Sequence, residues 1–299
     1  MTMDTSLYVS NKKIQLIHGQ MKGSTVQIED FAEVPMPSQA FLNGTVTDET
    51  AFKLAIEQVV TKSTQPDIKD VRISIGSCKA MVKTKEIPAM KPQMVWKWLE
   101  DEFTEDLGDD EESTDYLKDY SLIEQSDEGV KALIAAVPRE MIGQYVRLFD
   151  EMNITVSCID LGMSSMIKLV DSMPKTEHKT FIMITADGGL LTGALFIDGI
   201  YRMYARARLL SEPDSEDESM EIDQMESRII QFNFTEKNPD KVEFVYPVGF
   251  SRKQKEFLSR NSSVLVKDIG EDAAGVVEYA DPDFKLDAYA CATGNLIRE

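Results

Sequence analysis

Two short polar segments hold the residues best suited to chemistry, and each of them follows an apolar run. Residues 10–12 come directly after the run 7–9, and residues 187–189 separate the apolar runs 181–184 and 190–197. Backbone N–H groups at such turns can bind an anion, and a glycine lets the backbone approach it because no Cβ intervenes. We therefore take the two turns as candidate anion-binding segments.

Residues 187–189 have a second interpretation, in which they form only a hairpin turn, and we favour it. Asp198-Gly199 carries a similar signal, because glycine accepts the positive φ that a type I′ turn requires. A third run with alternating polar positions begins at Ile200. The stretch 181–206 is therefore predicted to form three consecutive strands joined by tight turns.

Other reactive side chains are few. Two histidines are too few for a histidine-based metal site, and the three cysteines lie far apart in the sequence. An odd number of separated cysteines indicates a reducing compartment and small buried apolar side chains rather than disulfides. These residues are His18, His178, Cys78, Cys158 and Cys291.

The composition favours a globular protein that avoids polyanions. The chain has 299 residues, of which 42% are hydrophobic, which is enough for a core divided between two lobes. Its formal net charge of −20 repels nucleic acid and anionic lipid, so we expect neither as a direct partner. No run reaches the roughly 18 apolar residues of a membrane span, and residues 1–15 lack a signal-peptide pattern. We therefore expect no direct membrane insertion.

Two acidic runs, residues 100–115 and 212–226, have a functional and a structural interpretation. The functional one is a calcium site or a surface for a basic partner. The first run lacks the Asp-x-Asp-x-Asp-Gly spacing, followed by a Glu, of a calcium-binding loop. We favour a solvated loop for the first run and acids at a helix N-terminus for the second.

The order of elements predicts an α/β protein of two lobes. Residues 1–78 carry three strands, a helix over residues 50–62 and another strand, and residues 154–178 return to this first lobe. Between them, residues 79–153 form an inserted βαββα subdomain. Residues 179–282 form a second lobe with one long helix over residues 218–234, and residues 283–299 contain a C-terminal helix.

Several strings occur in an order that identifies a resemblance covering nearly the whole chain. They are SLYVSNKKIQLIHG, NGTVTDE, VRISIGSCKAMVKTKEIPAM, VKALIAAVPREMIGQYVRLFDEMNITVSCIDLG and AYACATGNLIRE. With them the chain resembles the PilM family of type IV pilus assembly proteins, relatives of the cell-division protein FtsA in the actin-like ATPase superfamily. The resemblance implies an actin-like (ribonuclease H-like) two-lobed ATPase fold, with the inserted βαββα subdomain of PilM and FtsA and a reduced second lobe.

The resemblance also implies where a nucleotide would bind. In the family's first loop, an Asp-x-Gly turn presents N–H groups to the phosphates, and its Asp organises the magnesium shell. The match puts Tyr8 at the Asp position, Ser10 at the Gly position and Gln15 where a Lys is common. Ser10, Asn11 and Lys12 can still bind an anion, but the carboxylate that would organise the metal is missing.

The second and third loops depart from the family pattern as well. In the second loop a Thr stands at the position of the family's Asp, and an Asp stands at the position of its Gly. In the third loop, the family's Gly-Gly beside the adenosine becomes Pro-Val-Gly. The matching positions of the two loops are Thr185, Asp187, Gly188, Gly189, Thr192 and Gly249.

By resemblance, the chain is expected to be a cytoplasmic scaffold or adaptor of a pilus, secretion or DNA-uptake assembly. PilM proteins hold the cytoplasmic tail of membrane-anchored PilN in a groove between the first lobe and the inserted subdomain, and the complex links to the pilus motor. Here the groove would use the surface near residues 73–87 and the helix 138–153. The protein would then be peripheral to the inner face of the membrane through its partner.

The lost loop chemistry predicts no catalytic residue, no metal and no cofactor. The alternative is an active ATP-dependent ATPase or kinase of the same fold, in which Asp187 replaces the missing magnesium-organising carboxylate. Filament formation is a third possibility, although the net charge of −20 opposes close stacking at low salt.

Overall fold

The structure, a computed structural model, describes residues 3–76, 78–107, 115–126, 129–235 and 240–298. Within these ranges the chain forms sheets of six, five, three and two strands. The six-stranded and five-stranded sheets form the two predicted lobes, and the three-stranded sheet forms the inserted subdomain.

The first lobe begins with the predicted order of three strands, a helix and a strand, to which a short hairpin is added. The first three strands are antiparallel, and the strand after the helix returns parallel to the first. The helix buries Phe52, Ala55, Ile56 and Val59 against this sheet. The elements are β1 (Asp4–Val9), β2 (Lys13–Lys22), β3 (Thr25–Pro35), β4 (Phe41–Leu42), β5 (Thr45–Val46), α1 (Glu49–Lys62) and β6 (Asp70–Ile75).

The inserted subdomain is a three-stranded antiparallel sheet covered by one helix. The helix buries Leu99 and Phe103 against apolar residues of the central strand, among them Ala132 and Ile134. The elements are β7 (Met81–Pro88), α2 (Pro92–Leu107), β8 (Tyr116–Ser126) and β9 (Gly129–Pro138), with the strand order β7-β9-β8.

The helix that follows, α3 (Arg139–Asp150), packs in the first lobe and not in the inserted sheet. Tyr145 and Phe149 contact the Phe52 ring edge to face, with centroid distances of 6.2 and 6.4 Å. The predicted segment 79–153 therefore divides at its last helix, because the apolar face of that helix complements α1. Next come β10 (Thr155–Leu161), which pairs with β6 at the edge of the first-lobe sheet, and α4 (Gly162–Asp171).

The second lobe has the strand order β13 (Ile200–Arg208), β12 (Leu190–Ile197), β11 (Phe181–Asp187), β14 (Phe244–Val248) and β15 (Leu265–Val266). Both predicted tight turns are present: Gly188 and Gly189 have φ of 56° and 81°, and Asp198 and Gly199 have φ of 57° and 77°. The hairpin turn predicted at residues 187–189 is thus present. The helices of this lobe are α5 (Glu216–Thr235) and α6 (Arg252–Asn261).

After the short helix α7 (Ile269–Asp272), the chain returns to the first lobe. Strand β16 (Val277–Tyr279) pairs in parallel with β3 and gives the six-stranded order β10-β6-β1-β2-β3-β16. The predicted second-lobe segment 179–282 therefore ends in a strand of the first-lobe sheet. A strand of three residues carries too short a pattern to be predicted from its own sequence.

The C-terminal helix, α8 (Leu286–Gly294), connects the two lobes and lies within the predicted C-terminal segment 283–299. At its start, the Asp287 carbonyl accepts a hydrogen bond from the Gly249 N–H of the second lobe. At its end, Asn295 Nδ2 donates to Ser6 Oγ of the first lobe at 3.0 Å. Gly294 lies so close to α4 that an added Cβ would overlap the Ser165 carbonyl oxygen.

We predict that Gly294→Ala destabilises the fold by about 1–3 kcal/mol, because α4 and α8 must separate to admit the methyl group. Gly143→Ala is the matched control, because a Cβ there meets no atom within 4 Å. Gly143→Ala should stabilise the protein by about 0.5–1 kcal/mol, because alanine is more favourable than glycine in the interior of a helix. Urea unfolding measures both, and equal effects would contradict the close packing of α8.

Candidate functional site

The two polar turns singled out in the sequence meet at the cleft between the lobes. The β1–β2 turn comes from the first lobe and the β11–β12 turn from the second. A Cβ added to Gly188 would lie 3.1 Å from the Lys12 Cβ and 3.2 Å from the Lys12 nitrogen. The predicted phosphate-binding turns are therefore in direct van der Waals contact with each other.

Asp187 is the centre of this contact. Tyr8 Oη donates a hydrogen bond to one carboxylate oxygen of Asp187, and Ser10 Oγ donates to the other, each at 2.9 Å. Both donors are buried. The Ser10 hydroxyl also accepts hydrogen bonds from the backbone N–H groups of Lys12 and Lys13, at 3.3 and 3.2 Å. One serine therefore orders its own turn and joins it to the opposite lobe.

The first lobe provides space for the large Tyr8 side chain. An added Cβ on Gly76 would overlap the Tyr8 hydroxyl, and one on Gly162 would lie 3.6 Å from Tyr8 Cε2. The two glycines lie at the ends of β6 and β10, beside the end of β1. A phenol thus occupies the position at which the resemblance implies a short metal-organising carboxylate.

Burial shifts the pKa values of ionisable side chains at this contact. Burial raises the pKa of Asp187, although hydrogen bonds from Ser10 and Tyr8 oppose the shift. Burial and the neighbouring Asp187 raise the pKa of Tyr8 well above its ordinary value, so the phenol keeps its proton. The same causes raise the pKa of Cys291 to about 12, which leaves a neutral thiol with little nucleophilic character.

Behind these contacts, the cleft contains a cavity of about 40 Å³. A water molecule needs about 10–15 Å³ by this kind of measure, so the cavity has room for a few waters. Pockets for nucleotide-sized ligands typically measure about 300–1,000 Å³. The predicted positions that line the cavity are Tyr8, Gln15, Thr185, Asp187, Thr192 and Gly249.

Several of these lining residues are held by the chain itself. Gln15 Nε2 donates to Glu33 Oε2 at 2.8 Å and to the Ala288 carbonyl at 2.9 Å. Thr185 Oγ1 donates to the Thr192 carbonyl at 3.3 Å. Gly249 has a φ of 71°, and an added Cβ would lie 2.8 Å from the Ala186 carbonyl oxygen. Gly249 is therefore required by the fold itself.

Among the cavity-lining residues that the sequence interpretation missed are Arg206 and Cys291. Arg206 lies opposite Thr192 in the β12–β13 hairpin, but a register shift between Leu195 and Phe196 puts it there, and the Asp198-Gly199 turn alone would have placed Ala205 opposite Thr192. Its Nε atom is buried without a hydrogen-bond partner among the described residues. Cys291 comes from α8, and no local pattern connects that helix to the cleft.

The acidic runs show ordinary structural roles where they are described. In the first run Glu100 pairs with Lys118, and Glu102 pairs with Lys85 at 2.6 Å. In the second run Glu221 accepts a hydrogen bond from the Leu210 backbone at 3.0 Å. Within the described ranges, no group of three or more His, Cys, Asp or Glu residues is arranged to hold a metal ion. Asp109, Asp110, Glu111 and Glu112 lie outside the described residues.

A larger concavity lies on the first lobe, next to its junction with the inserted subdomain at Pro138, and we call it the α3 groove. Its volume is about 580 Å³, and it adjoins a second hollow of about 940 Å³ with which it shares Lys79, Pro138 and Glu140. Its lining residues are Thr45, Glu49, Lys79, Pro138, Glu140, Met141, Gly143, Gln144 and Arg147. This is the surface that the resemblance implies for a partner, formed by α3 and the chain leading into β7.

One wall of the α3 groove is fixed by hydrogen bonds. Gln144 Oε1 accepts the Val46 N–H at 3.0 Å, while Gln144 Nε2 donates to the Val46 carbonyl at 2.8 Å. Arg147 forms ion pairs with Glu49 and, at 2.8 Å, with Glu151. The side chain of Gln144 is thus hydrogen-bonded to both the backbone N–H and the carbonyl of Val46 in strand β5.

No protein-family model matches the chain, and no curated protein matches it. Solved structures do resemble its fold. In the PilM–PilN type IV pilus biogenesis complex, a chain aligns with a TM-score of 0.75 and 12% identity over 99% of both chains. A Bacteroides thetaiotaomicron protein with an actin-like ATPase fold and unknown function aligns with a TM-score of 0.52 and 9% identity, over 97% of this chain and 95% of that one. The chain has the actin-like ATPase fold.

The predicted actin-like fold is thereby confirmed, as is the similarity to PilM at the level of structure. The cytoplasmic domain of EpsL, an inner membrane component of the type II secretion system of Vibrio cholerae, aligns with a TM-score of 0.52 and 7% identity. That alignment covers 98% of this chain and 94% of the other. Because the sequence identities to these structures are so low, the alignments show that the fold is shared and nothing more.

Among the described residues, no helix of this actin-like fold combines the length and the apolar character of a membrane span.

We predict that Tyr8→Phe lowers the free energy of unfolding by about 1–3 kcal/mol, because a partly buried carboxylate oxygen of Asp187 loses its hydrogen-bond donor while the ring stays in place. Tyr279→Phe, at a ring that is 42% exposed, is the control and should change stability by less than about 0.5 kcal/mol. Urea denaturation of the two variants makes the comparison. Equal stabilities would show that the Tyr8–Asp187 contact contributes nothing to the fold.

Proposed function

We propose that this protein is a PilM-like cytoplasmic scaffold of a type IV pilus or a related secretion or DNA-uptake assembly. It binds the cytoplasmic tail of a PilN-like membrane-anchored partner and does not hydrolyse ATP. The observation that carries the proposal is the contrast between two concavities: about 40 Å³ in the interlobe cleft and about 580 Å³ in the α3 groove. The structural similarity to the chain from the PilM–PilN complex supports the choice of partner.

The interlobe residues do not fit a magnesium-bound nucleotide. Asp187 is the carboxylate that lines the cavity, and its two oxygens already accept hydrogen bonds from Tyr8 and Ser10. Lys12 and Gly188 are in contact where phosphates would need to pass. Phosphoryl transfer depends almost wholly on positioning and on charge neutralisation by the metal, so a site without either has little catalytic power.

The α3 groove has the properties of a peptide site. Its volume is within the range of ligand pockets, and its floor combines apolar Met141 with ionised side chains at the rim. It continues into the hollow bounded by Met81, Leu107 and Tyr116, which adds apolar surface along the inserted sheet. An extended tail lying across both hollows would contact the two units at once, and its membrane anchor would keep the protein at the inner face of the membrane. Through this complex the protein would connect to the pilus motor.

The alternative is an ATPase or kinase in which the lobes open and Asp187 organises a metal. One observation favours it: Arg206 Nε lies buried at the cavity without a partner among the described residues, and an anion would satisfy it. Against it, opening must break both hydroxyl contacts to Asp187.

We predict that the purified protein binds a synthetic peptide of the cytoplasmic tail of the membrane protein encoded beside its gene, with or without magnesium–ATP. Isothermal titration calorimetry measures the affinity, and a scrambled peptide controls for composition. Glu140→Arg, at the junction of the two hollows, should weaken binding about tenfold or more, since a longer side chain of opposite charge enters the groove. Glu57→Arg is the matched control on the exposed side of α1. Absence of wild-type binding would refute the scaffold function.

We predict that magnesium–ATP leaves the thermal unfolding midpoint unchanged. A nucleotide present at a hundred times its dissociation constant would add about 2.7 kcal/mol of stability, which a melting curve resolves readily. Asp187→Ala is tested in parallel. An upward shift in the wild type that disappears in Asp187→Ala would establish the alternative function.

A further inference from the structure

One helical glycine in the α3 groove has no explanation within the chain. Glycines in folded proteins usually provide a positive φ or permit a close approach. Gly23 and Gly275, which also have open space around them, have φ of 63° and 90°. Gly162 and Gly294 are helical and lie against neighbouring backbone. Gly143 shows neither property: its φ is not positive, and a Cβ there meets no atom within 4 Å outside its own helix backbone and chain neighbours.

This position carries a cost to the fold. Gly143 is in the interior of α3, where glycine is less favourable than alanine because it loses more backbone freedom on folding. Alanine would fit without moving any described atom. Among the described glycines, Gly143 is therefore the one whose presence in its element neither the backbone nor the packing requires.

The location of Gly143 indicates what compensates for this cost. Glu140, Gly143, Gln144 and Arg147 line the groove at spacings of i, i+3, i+4 and i+7, so they share one face of α3. Gln144 is held by Val46, and Arg147 is held by Glu49 and Glu151. Between these restrained side chains, Gly143 leaves a bare strip of helix backbone facing the groove.

We propose that Gly143 is a specificity-determining residue, at which the main chain of an extended peptide passes directly against helix α3. This inference rests on the proposed function, in which the peptide is the tail of the membrane-anchored partner. At such an approach the Cα hydrogens of Gly143 face carbonyl oxygens of the tail, a contact that any side chain would prevent. A tail whose main chain lies directly on the helix backbone at Gly143 can bind. A tail that needs a side chain of α3 to pack against at this position cannot.

The test compares tail-peptide affinity for Gly143→Ala and Gly143→Leu with the wild type, by calorimetry. A side chain at position 143 should push the main chain of the tail away from α3. We expect binding to weaken about fivefold or more for Gly143→Ala and about a hundredfold for Gly143→Leu. Val146→Leu is the matched control, since Val146 is on the same helix, is 48% exposed and does not line the groove. It should bind like the wild type.

A thermal melt provides the second readout. Gly143→Ala should raise the unfolding midpoint while it lowers the affinity for the tail, and a purely structural role would move both in the same direction. If the wild type binds and both Gly143 variants bind equally well, the inference is overturned while the scaffold function stands. If the wild type does not bind the tail, the proposed function fails first, and this inference falls with it.

Discussion

The hydrogen-bonded cluster of Tyr8, Ser10 and Asp187 fixes how the two lobes meet. The Asp187 carboxylate accepts hydrogen bonds from two hydroxyl groups across the cleft, on residues 179 and 177 positions earlier in the chain. Burying a carboxylate is costly, and the raised pKa of Asp187 reflects that cost. The two hydroxyl donors offset this cost only while the lobes keep their relative position. The cluster therefore favours one closed arrangement of the cleft, and its net contribution to stability is smaller.

Helix α8 supports the same arrangement from behind the cleft. Its first turn accepts the Gly249 N–H from the second lobe, and the residue after its end binds Ser6 of the first. Since Gly294 allows α8 to touch α4, the helix cannot shift without opening a gap against the first lobe. These two contacts help to hold the lobes together, and a cavity with room for a few waters lies between them.

Periodicity and turn chemistry predicted most strands and helices, because these depend on nearby residues. The type I′ hairpins at Gly188-Gly189 and Asp198-Gly199 are the clearest cases. What local patterns could not predict was pairing across the chain. Strand β16 joins β3 across about 250 positions, and α3 packs on α1 although it directly follows the inserted sheet. The Asp187 contacts were missed for the same reason: a hairpin residue has no local sign that its carboxylate will meet a tyrosine of the other lobe.

Glycines leave space beside the backbone both in the interlobe cleft and in the α3 groove, but the space is filled only in the cleft. In the cleft, Gly76 and Gly162 leave room that the chain fills itself with the Tyr8 ring. In the α3 groove, Gly143 leaves room that no described residue fills. In the proposed scaffold function, nucleotide would have no part in setting the relation between the two lobes. The groove wall held by Gln144 and Arg147 would suit the nucleotide-independent attachment of a partner that we propose, because these side chains would not have to move for the partner to bind.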